Sequence, residues 1–363
     1  MQNPKKFHIL VTGGAGYIGS HVVKQLIEYT DYDITIIDNL STGHASTIEK
    51  LQEILSLKKG NREQKLSFIK EDLAHFEVVE TLFAQNSFDA LIHFAASIVV
   101  PESVEEPLKY YMNNTVNTTN LVKMCDKYSV GKIIFSSTAA VYGEPDFGDL
   151  DILSMKVSEA DELAPINPYG WSKRMSEQVI QDTALANPNL SFVIFRYFNV
   201  AGADIDNRIG QSFPNATHLI KVAAQTALGK RDTIAIYGED FETPDGTGIR
   251  DYIHIDDLSF AHIMALEYLQ ENGSNTFNVG YGKGYSVKEV ISTMKKVSGV
   301  DFRVDIQSKR AGDPAILISD NQKIIKAWES LEESFLKERH PKLFEYDDLE
   351  TICKTALEWE RQL

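Results

Sequence analysis

Tyr169 and Lys173 stand four residues apart in Asn167-Pro168-Tyr169-Gly170-Trp171-Ser172-Lys173, a stretch that reads as the start of a helix. Asn167 suits the cap and Pro168 the first helical position. The two side chains then lie one above the other on a single face. A free phenol titrates near 10 and is a poor base at neutral pH, but an ammonium beside it favours the phenolate by roughly 1–3 units. Such a phenol can take a proton from a substrate hydroxyl and give it back. Bringing it to about 7 needs about 4 kcal/mol, which two close cations in a dry site could supply. Alone the pair is a weak signal, because 15 tyrosines in 363 residues yield about one such spacing by chance. Its company is stronger. Phe135-Ser136-Ser137-Thr138-Ala139-Ala140-Val141-Tyr142-Gly143 sets hydroxyls at the end of a predicted strand, where ligands of α/β sheets bind.

A second constellation lies near the start of the chain. Thr12-Gly13-Gly14-Ala15-Gly16-Tyr17-Ile18-Gly19 follows a predicted strand and opens a predicted helix. Glycines there permit a tight turn and let backbone N–H groups approach a pyrophosphate at the positive helix end. A glycine-rich turn without a ligand is the plainer reading, but the required strand and helix flank it. The next strand ends in Asp38, about 20 residues past the turn, where a carboxylate accepts from a ribose 2′-hydroxyl and repels a 2′-phosphate. No Lys or Arg occurs between Asn39 and Ser46, so NAD is expected rather than NADP.

The elements that must position these groups alternate. Phe7–Val11, Ile34–Ile37, Leu66–Ile69, Asp89–Phe94, Lys132–Ser136 and Phe192–Phe195 read as strands. Tyr17–Tyr29, Glu77–Gln85, Pro107–Tyr128 and Pro168–Ala186 read as helices between them. Alternation with near-continuous apolar strands predicts an α/β fold, a doubly wound parallel sheet covered on both faces. After about Asn199 loops lengthen, and helical stretches at Leu219–Leu228, Asp256–Leu269 and Val287–Val297 suggest a smaller lobe. The expected division is residues 1–198 for the cofactor and 199–363 mainly for substrate, with a strand possibly returned to the first sheet. Lys58–Lys65 and Asp146–Glu162 read as polar surface loops.

Composition narrows the classes further. A chain with 43% hydrophobic residues can build its core without staples. Cys125 and Cys353 lie outside any CxxC and read as inert buried thiols. A net charge of −16 argues against nucleic acid as partner. No run reaches the roughly 18 apolar residues of a membrane span, and no signal segment opens the chain, so the cytoplasm is the expected compartment. No HExxH, Cys/His cluster or GxSxG is present, so neither a metal nor a serine nucleophile is expected, and His93 and His254 read as satisfied core residues.

Glycine turn, strand-end hydroxyl, tyrosine and lysine, in this order, resemble the extended short-chain dehydrogenase/reductases. The resemblance covers essentially the whole chain and is greatest to UDP-sugar 4-epimerases. It is carried by Val11–His21, His93–Ala96, Pro107–Asn114, Phe135–Gly143, Asn167–Lys173, Arg196–Asn199 and Asp245–Asp257. It implies a Rossmann-type sheet and bound NAD that takes hydride from sugar C4 and returns it to the other face of a 4-keto intermediate. Tyr169 would be the base at the 4-hydroxyl, Thr138 its relay, and Lys173 the anchor of the nicotinamide ribose. Gly13, Gly16, Tyr17, Ile18, Gly19, Asp38, Asn39, Asp72, Leu73, Phe94, Ala95, Asn113, Ser136 and Phe198 would contact cofactor. Asn199, Arg250, Arg310, Asp313 and Leu317 would contact substrate, arginine gripping phosphate oxygens as a planar fork.

Rival chemistries within the family are a dehydratase or a uronate epimerase; outside catalysis, an NAD- or nucleotide-sugar-binding regulator. Dehydratases follow the threonine with an Asp-Glu pair for elimination, whereas Ala139-Ala140 stand here. Epimerases restricted to UDP-glucose and UDP-galactose commonly carry a tyrosine where Arg310-Ala311-Gly312-Asp313-Pro314-Ala315-Ile316-Leu317 ends in leucine. Leucine should leave room for an N-acetyl group, so both UDP-hexoses and UDP-N-acetylhexosamines are expected substrates. Ile98, His218 and Lys221 depart from the family pattern and leave local contacts open. A homodimer through helices of the first lobe, Pro107–Tyr128 above all, is the expected assembly.

Overall fold

The computed structural model describes residues 6–58, 63–148, 154–213, 217–310, 313–331 and 334–363. Seven parallel strands form the main sheet. In chain order they are β1 (His8–Thr12), β2 (Asp33–Asp38), β3 (Leu66–Lys70), β4 (Ala90–His93), β5 (Lys132–Thr138), β6 (Ser191–Tyr197) and, much later, β10 (Asn275–Val279). They lie in the order β10-β6-β5-β4-β1-β2-β3. The order reverses between β1 and β4, which opens a crevice at their carboxyl ends. Period-2 geometry divides the core. Ile9 and Val11 of β1 face one apolar cluster and Leu10 faces the other, all three fully buried.

The helices between these strands are α1 (Tyr17–Tyr29), α2 (Ala45–Leu57), α3 (Phe76–Gln85), α4 (Val100–Glu105), α5 (Pro107–Tyr110), α6 (Asn117–Lys127) and α7 (Pro168–Ala186). The second half adds β7 (Asn199–Ala201), α8 (Leu219–Ala227), β8 (Ile234–Tyr237), β9 (Ile249–His254), α9 (Ile255–Glu271), β11 (Gly284–Ser286), α10 (Val287–Ser298), β12 (Val304–Gln307), β13 (Ile316–Leu317), α11 (Gln322–Ser330) and α12 (Leu349–Glu360). Strands β11, β9, β13 and β7 make a four-stranded sheet, and β12 pairs with β8. Helix α9 buries fourteen of its seventeen residues. It also receives Lys24 of α1, whose Nζ donates to Asp256 Oδ1 at 2.8 Å and to Asp204 Oδ1 at 2.5 Å.

Three expectations need correction. The single helix Pro107–Tyr128 is α5 and α6 joined by a π-helical turn, Tyr111–Val116. Asn113 and Asn114 lie in this wider turn, where both side chains reach across to Ser97. The segment Asp146–Glu162 is not wholly surface: Val157 is fully buried and bridges to Ser319, a contact too distant in sequence to read locally. In Lys58–Lys65, Gln64 is buried and donates to Tyr32 O at 2.7 Å, while residues 59–62 lie outside the described residues. Helices α2 and α4 were not anticipated; α2 buries only Ile48, Leu51 and Ile54, a thin stripe.

Candidate active site

The glycine turn is fixed by sterics. Gly13 has φ +71°, and a Cβ there would fall 2.7 Å from Ala95 N. A Cβ on Gly19 would lie 2.3 Å from Gly13 O, so both must be glycine for α1 to start so close to the sheet. Gly16 caps α1 without a side chain, which leaves the first-turn N–H groups of Tyr17 and Ile18 for an anion at the crevice. The Tyr17 ring itself turns away, its hydroxyl donating to Gly202 O at 2.7 Å. That residue therefore serves the crevice through backbone, not side chain.

Asp38 ends β2 and is buried. Its Oδ2 accepts Ala15 N–H at 2.9 Å and its Oδ1 accepts Leu40 N–H at 2.8 Å. Burial pushes its pKa up, and these two donors oppose that. It thus holds the glycine turn, a task that its place at the end of the strand did not reveal. Asn39 Nδ2 donates to Asp72 Oδ2 at 2.8 Å, which joins two expected cofactor residues, and the neighbouring Leu73 is buried. Across the crevice Phe94 N–H donates to Thr12 O at 3.1 Å, which sets Phe94 and Ala95 against the turn.

The helix start that carries Tyr169 and Lys173 is built as the spacing predicts. Asn167 Oδ1 accepts Gly170 N–H at 2.9 Å and α7 begins at Pro168. Lys173 is buried, its Nζ donating to Ser136 O at 2.7 Å and lying 4.9 Å over the Phe135 ring. Burial pulls its pKa down to about 7, against the charge of Glu177 one turn on. Burial raises the Tyr169 phenol, and a hydrogen bond with Thr138 draws it back. Thr138 closes β5, its Oγ1 accepting Ala140 N–H at 3.1 Å, while the Ser136 hydroxyl bonds the Tyr197 hydroxyl. In the chain by itself, then, Thr138 rather than Lys173 is the group acting on the phenol.

Two supports were missed. Asn114, beside the expected Asn113, accepts Ser97 N–H at 2.8 Å and donates to Ser97 O and Ser172 Oγ, each at 2.9 Å. Two asparagines in a helical stretch were the available signal. Glu177 is fully buried and takes Arg196 as a fork, Nε at 3.0 Å and Nη2 at 2.7 Å, with the Ser137 hydroxyl on the same carboxylate. Nothing local announces a pair drawn from α7 and β6.

On the opposite side Asn199 opens β7, next to β9. Arg250 of β9 donates through Nη2 to Asp313 Oδ1 at 2.6 Å, which brings two expected substrate residues together. Leu317 of β13 stands opposite Arg250 in register and packs against a cluster formed by Ala139, Val141, Tyr142, Val157 and Phe198. Phe198 is therefore a buried member of that cluster. Arg310 is exposed, its guanidinium 3.6 Å over the Tyr237 ring. Arg310, Asp313, Glu144 and Phe147 line an open cleft of about 560 Å³. Ala311 and Gly312 lie outside the described residues.

The departures have separate fates. Ile98 is half exposed, and His218 meets Gln211 Nε2 at 3.0 Å. Lys221 is buried against Glu360 of α12 at 2.5 Å, an internal ion pair. Among the described residues no group of three His, Cys, Asp or Glu could hold a metal ion. His93 is bonded at both nitrogens, to Thr12 Oγ1 at 2.6 Å and Thr118 Oγ1 at 2.9 Å. Both cysteines are buried, with their thiols pushed up by desolvation.

The model of the NAD dependent epimerase/dehydratase family matches residues 9–280. The chain belongs to that family. Within it, the chain is 43% identical over 356 residues to a UDP-glucose 4-epimerase of Azospirillum brasilense, covering 98% of this chain and 92% of that protein. The UDP-Glc/GlcNAc 4-epimerase structure from Campylobacter jejuni is 53% identical, with a TM-score of 0.79 over 98% of this chain and 100% of that one. A Bifidobacterium longum UDP-glucose 4-epimerase, solved with NAD+ and UDP, is 32% identical with a TM-score of 0.85 and 98% of each chain covered. The glycine turn, too tight for a Cβ and ending in an uncapped helix, fits the dinucleotide that an epimerase/dehydratase uses.

Proposed function

We propose that this chain interconverts UDP-sugars at C4 with NAD as resident cofactor, and that it accepts both UDP-hexoses and UDP-N-acetylhexosamines. The observation that carries the reading is the assembly of Tyr169, Thr138 and Lys173 at the end of β5, in the crevice that the glycine turn opens. When bound there, NAD accepts hydride from C4 of the sugar and returns it. Tyr169 takes the 4-hydroxyl proton as C4 is oxidised to a ketone and gives it back on reduction, with Thr138 holding the shared hydrogen bond. Lys173, kept near its titration point by burial, supplies a proton-dependent charge beside the cofactor ribose. Gly13, Gly16, Gly19, Asp38, Asn39, Asp72, Phe94 and Ala95 form the remaining cofactor wall. Arg250 and Arg310 grip the diphosphate, and Asn199 and Asp313 orient it, so that the freed 4-keto sugar can turn within the pocket.

Leu317 supports the wider substrate range, because it is smaller than tyrosine and has no hydroxyl. Replacing Leu317→Tyr is expected to suppress conversion of the N-acetyl sugars and spare the hexoses; equal loss of both would refute the gate. The substrate lobe is read as residues 199–363 apart from the elements it lends the first sheet. A cytoplasmic homodimer is the proposed state, the dimer supported by Val104 of α4, Leu108 of α5 and Met112 of the π-helical turn, which are 64%, 76% and 58% exposed. Among the described residues no helix is long and apolar enough to cross a membrane. The deciding experiment is an NMR-followed incubation with UDP-glucose and, separately, UDP-GlcNAc, without added NAD. Both should reach mixtures with their C4 epimers; inertness toward both overturns the reading.

A further inference from the structure

Between β5 and α7 the chain leaves the main sheet and fastens onto the residues that directly follow Leu317. Val157 N–H donates to Ile318 O at 2.9 Å and Asp320 N–H donates to Val157 O at 2.8 Å. Asn278 Nδ2 donates to the same Val157 carbonyl at 2.8 Å. Met155, two residues earlier, packs against Ile249, Ile316 and Ile318. Nearer β5, Asp146 Oδ1 accepts Gly148 N–H at 2.9 Å, a side-chain turn that fixes the residue between them. That residue is Phe147, half-buried and packed against the cluster formed by Ala139, Val141, Tyr142, Val157 and Phe198.

Leu317 packs against that same cluster. Its backbone pairs with Arg250 of β9, and the residues that follow it, Ile318 to Asp320, are held by Val157. A side chain so held shifts only if the cluster behind it yields, because packed interiors leave few voids. The cluster also borders the proposed chemistry: Ala139 follows Thr138, and Phe198 precedes Asn199. Phe147 is its outermost aromatic member and lines the cleft that holds Arg310 and Asp313.

We propose that Phe147 is a positioning residue for Leu317, and that through it Phe147 determines how large a group at sugar C2 the site admits. This rests on the reading of Leu317 given above. Trimming the ring lets the cluster relax and Leu317 step back; enlarging it presses Leu317 toward the sugar. One methylene of pocket space is worth roughly 10–200-fold between substrates, so an effect of about tenfold is expected.

The test compares kcat/KM for UDP-GlcNAc and UDP-glucose in the parent, Phe147→Ala and Phe147→Trp. The N-acetyl to hexose ratio should rise about tenfold in Phe147→Ala and fall in Phe147→Trp. A merely structural role would lower both substrates together and leave the ratio alone. A ratio that stays at the parent value in both variants, or moves the same way in both, overturns the proposal. Phe147→Leu, which keeps an apolar side chain, replaces Phe147→Ala should the latter melt below assay temperature, with the same direction expected. Failure of the underlying reading is visible separately, as a parent enzyme that converts only UDP-glucose. Phe147→Ala is then still expected to admit the N-acetyl sugar, and its failure to do so sinks the inference.

Discussion

Tyr169 and Lys173 share one helical face but have opposite electrostatic histories. Burial raises the phenol and lowers the ammonium, so both are pushed toward neutrality and their titration ranges are drawn apart. Removing the phenol oxygen should remove proton transfer while leaving the binding surfaces intact. Tyr169→Phe is expected to lower kcat by about 10²–10⁴-fold with UDP affinity unchanged, measured by calorimetry beside turnover. Lys173 leads to a stability prediction. Between its ordinary value near 10.4 and about 7, the unfolded chain holds a proton that the folded chain lacks, so this lysine adds stability as pH rises through that window. In melting experiments on cofactor-free protein, Lys173→Met should therefore gain most over the parent at about pH 7 and lose that advantage near pH 10. The elements that carry the candidate site were legible because their signals are contiguous: a capped helix start, a glycine turn, a strand end. Asp38's hold on Ala15 was not, since its position shows the carboxylate but not which N–H it meets.

At the scale of elements, the end of β5 is gripped twice. Ser136 offers its carbonyl to Lys173 and Thr138 its hydroxyl to Tyr169, and Ser137 between them binds Glu177, which is locked to Arg196. A buried ion pair stabilises little in net terms, but leaving one partner alone costs about 3–5 kcal/mol. Arg196→Met is thus expected to lower the melting temperature sharply. Glu177→Met with Arg196→Met should restore much of it, because two apolar residues fill the space without a stranded charge. Activity should stay low in the double variant, since Ser137 has lost its anchor; full recovery of turnover would show the pair to be structural only. Such contacts join residues far apart in the chain, as Val157 with Ile318 does, and periodicity carries no record of them. The helices that were legible have strong apolar stripes or capped starts. The π-helical turn in the run from Pro107 was hidden because its residues continue the same pattern.

For the whole molecule, a charge of −16 repels the diphosphates it is proposed to bind, so affinity must come from local features. The uncapped start of α1 and the arginines at 250 and 310 are those features. The exposed apolar side chains around Leu108 belong to the same scale. Leu108→Glu is expected to convert a dimer into monomers in sedimentation velocity, with the fold retained by circular dichroism. A parent chain that already sediments as a monomer would remove the dimer from the proposal. The main sheet also has a temporal consequence. Its edge strand β10 and the almost wholly buried α9 are drawn from residues 255–279, long after β6 has been made. During synthesis on the ribosome the glycine turn, the catalytic helix and six strands emerge first, with one edge of the sheet open and the resting place of α9 bare. The nascent chain must wait, exposed and in need of protection, until roughly three-quarters of it has been translated, and only then can the cofactor sheet close.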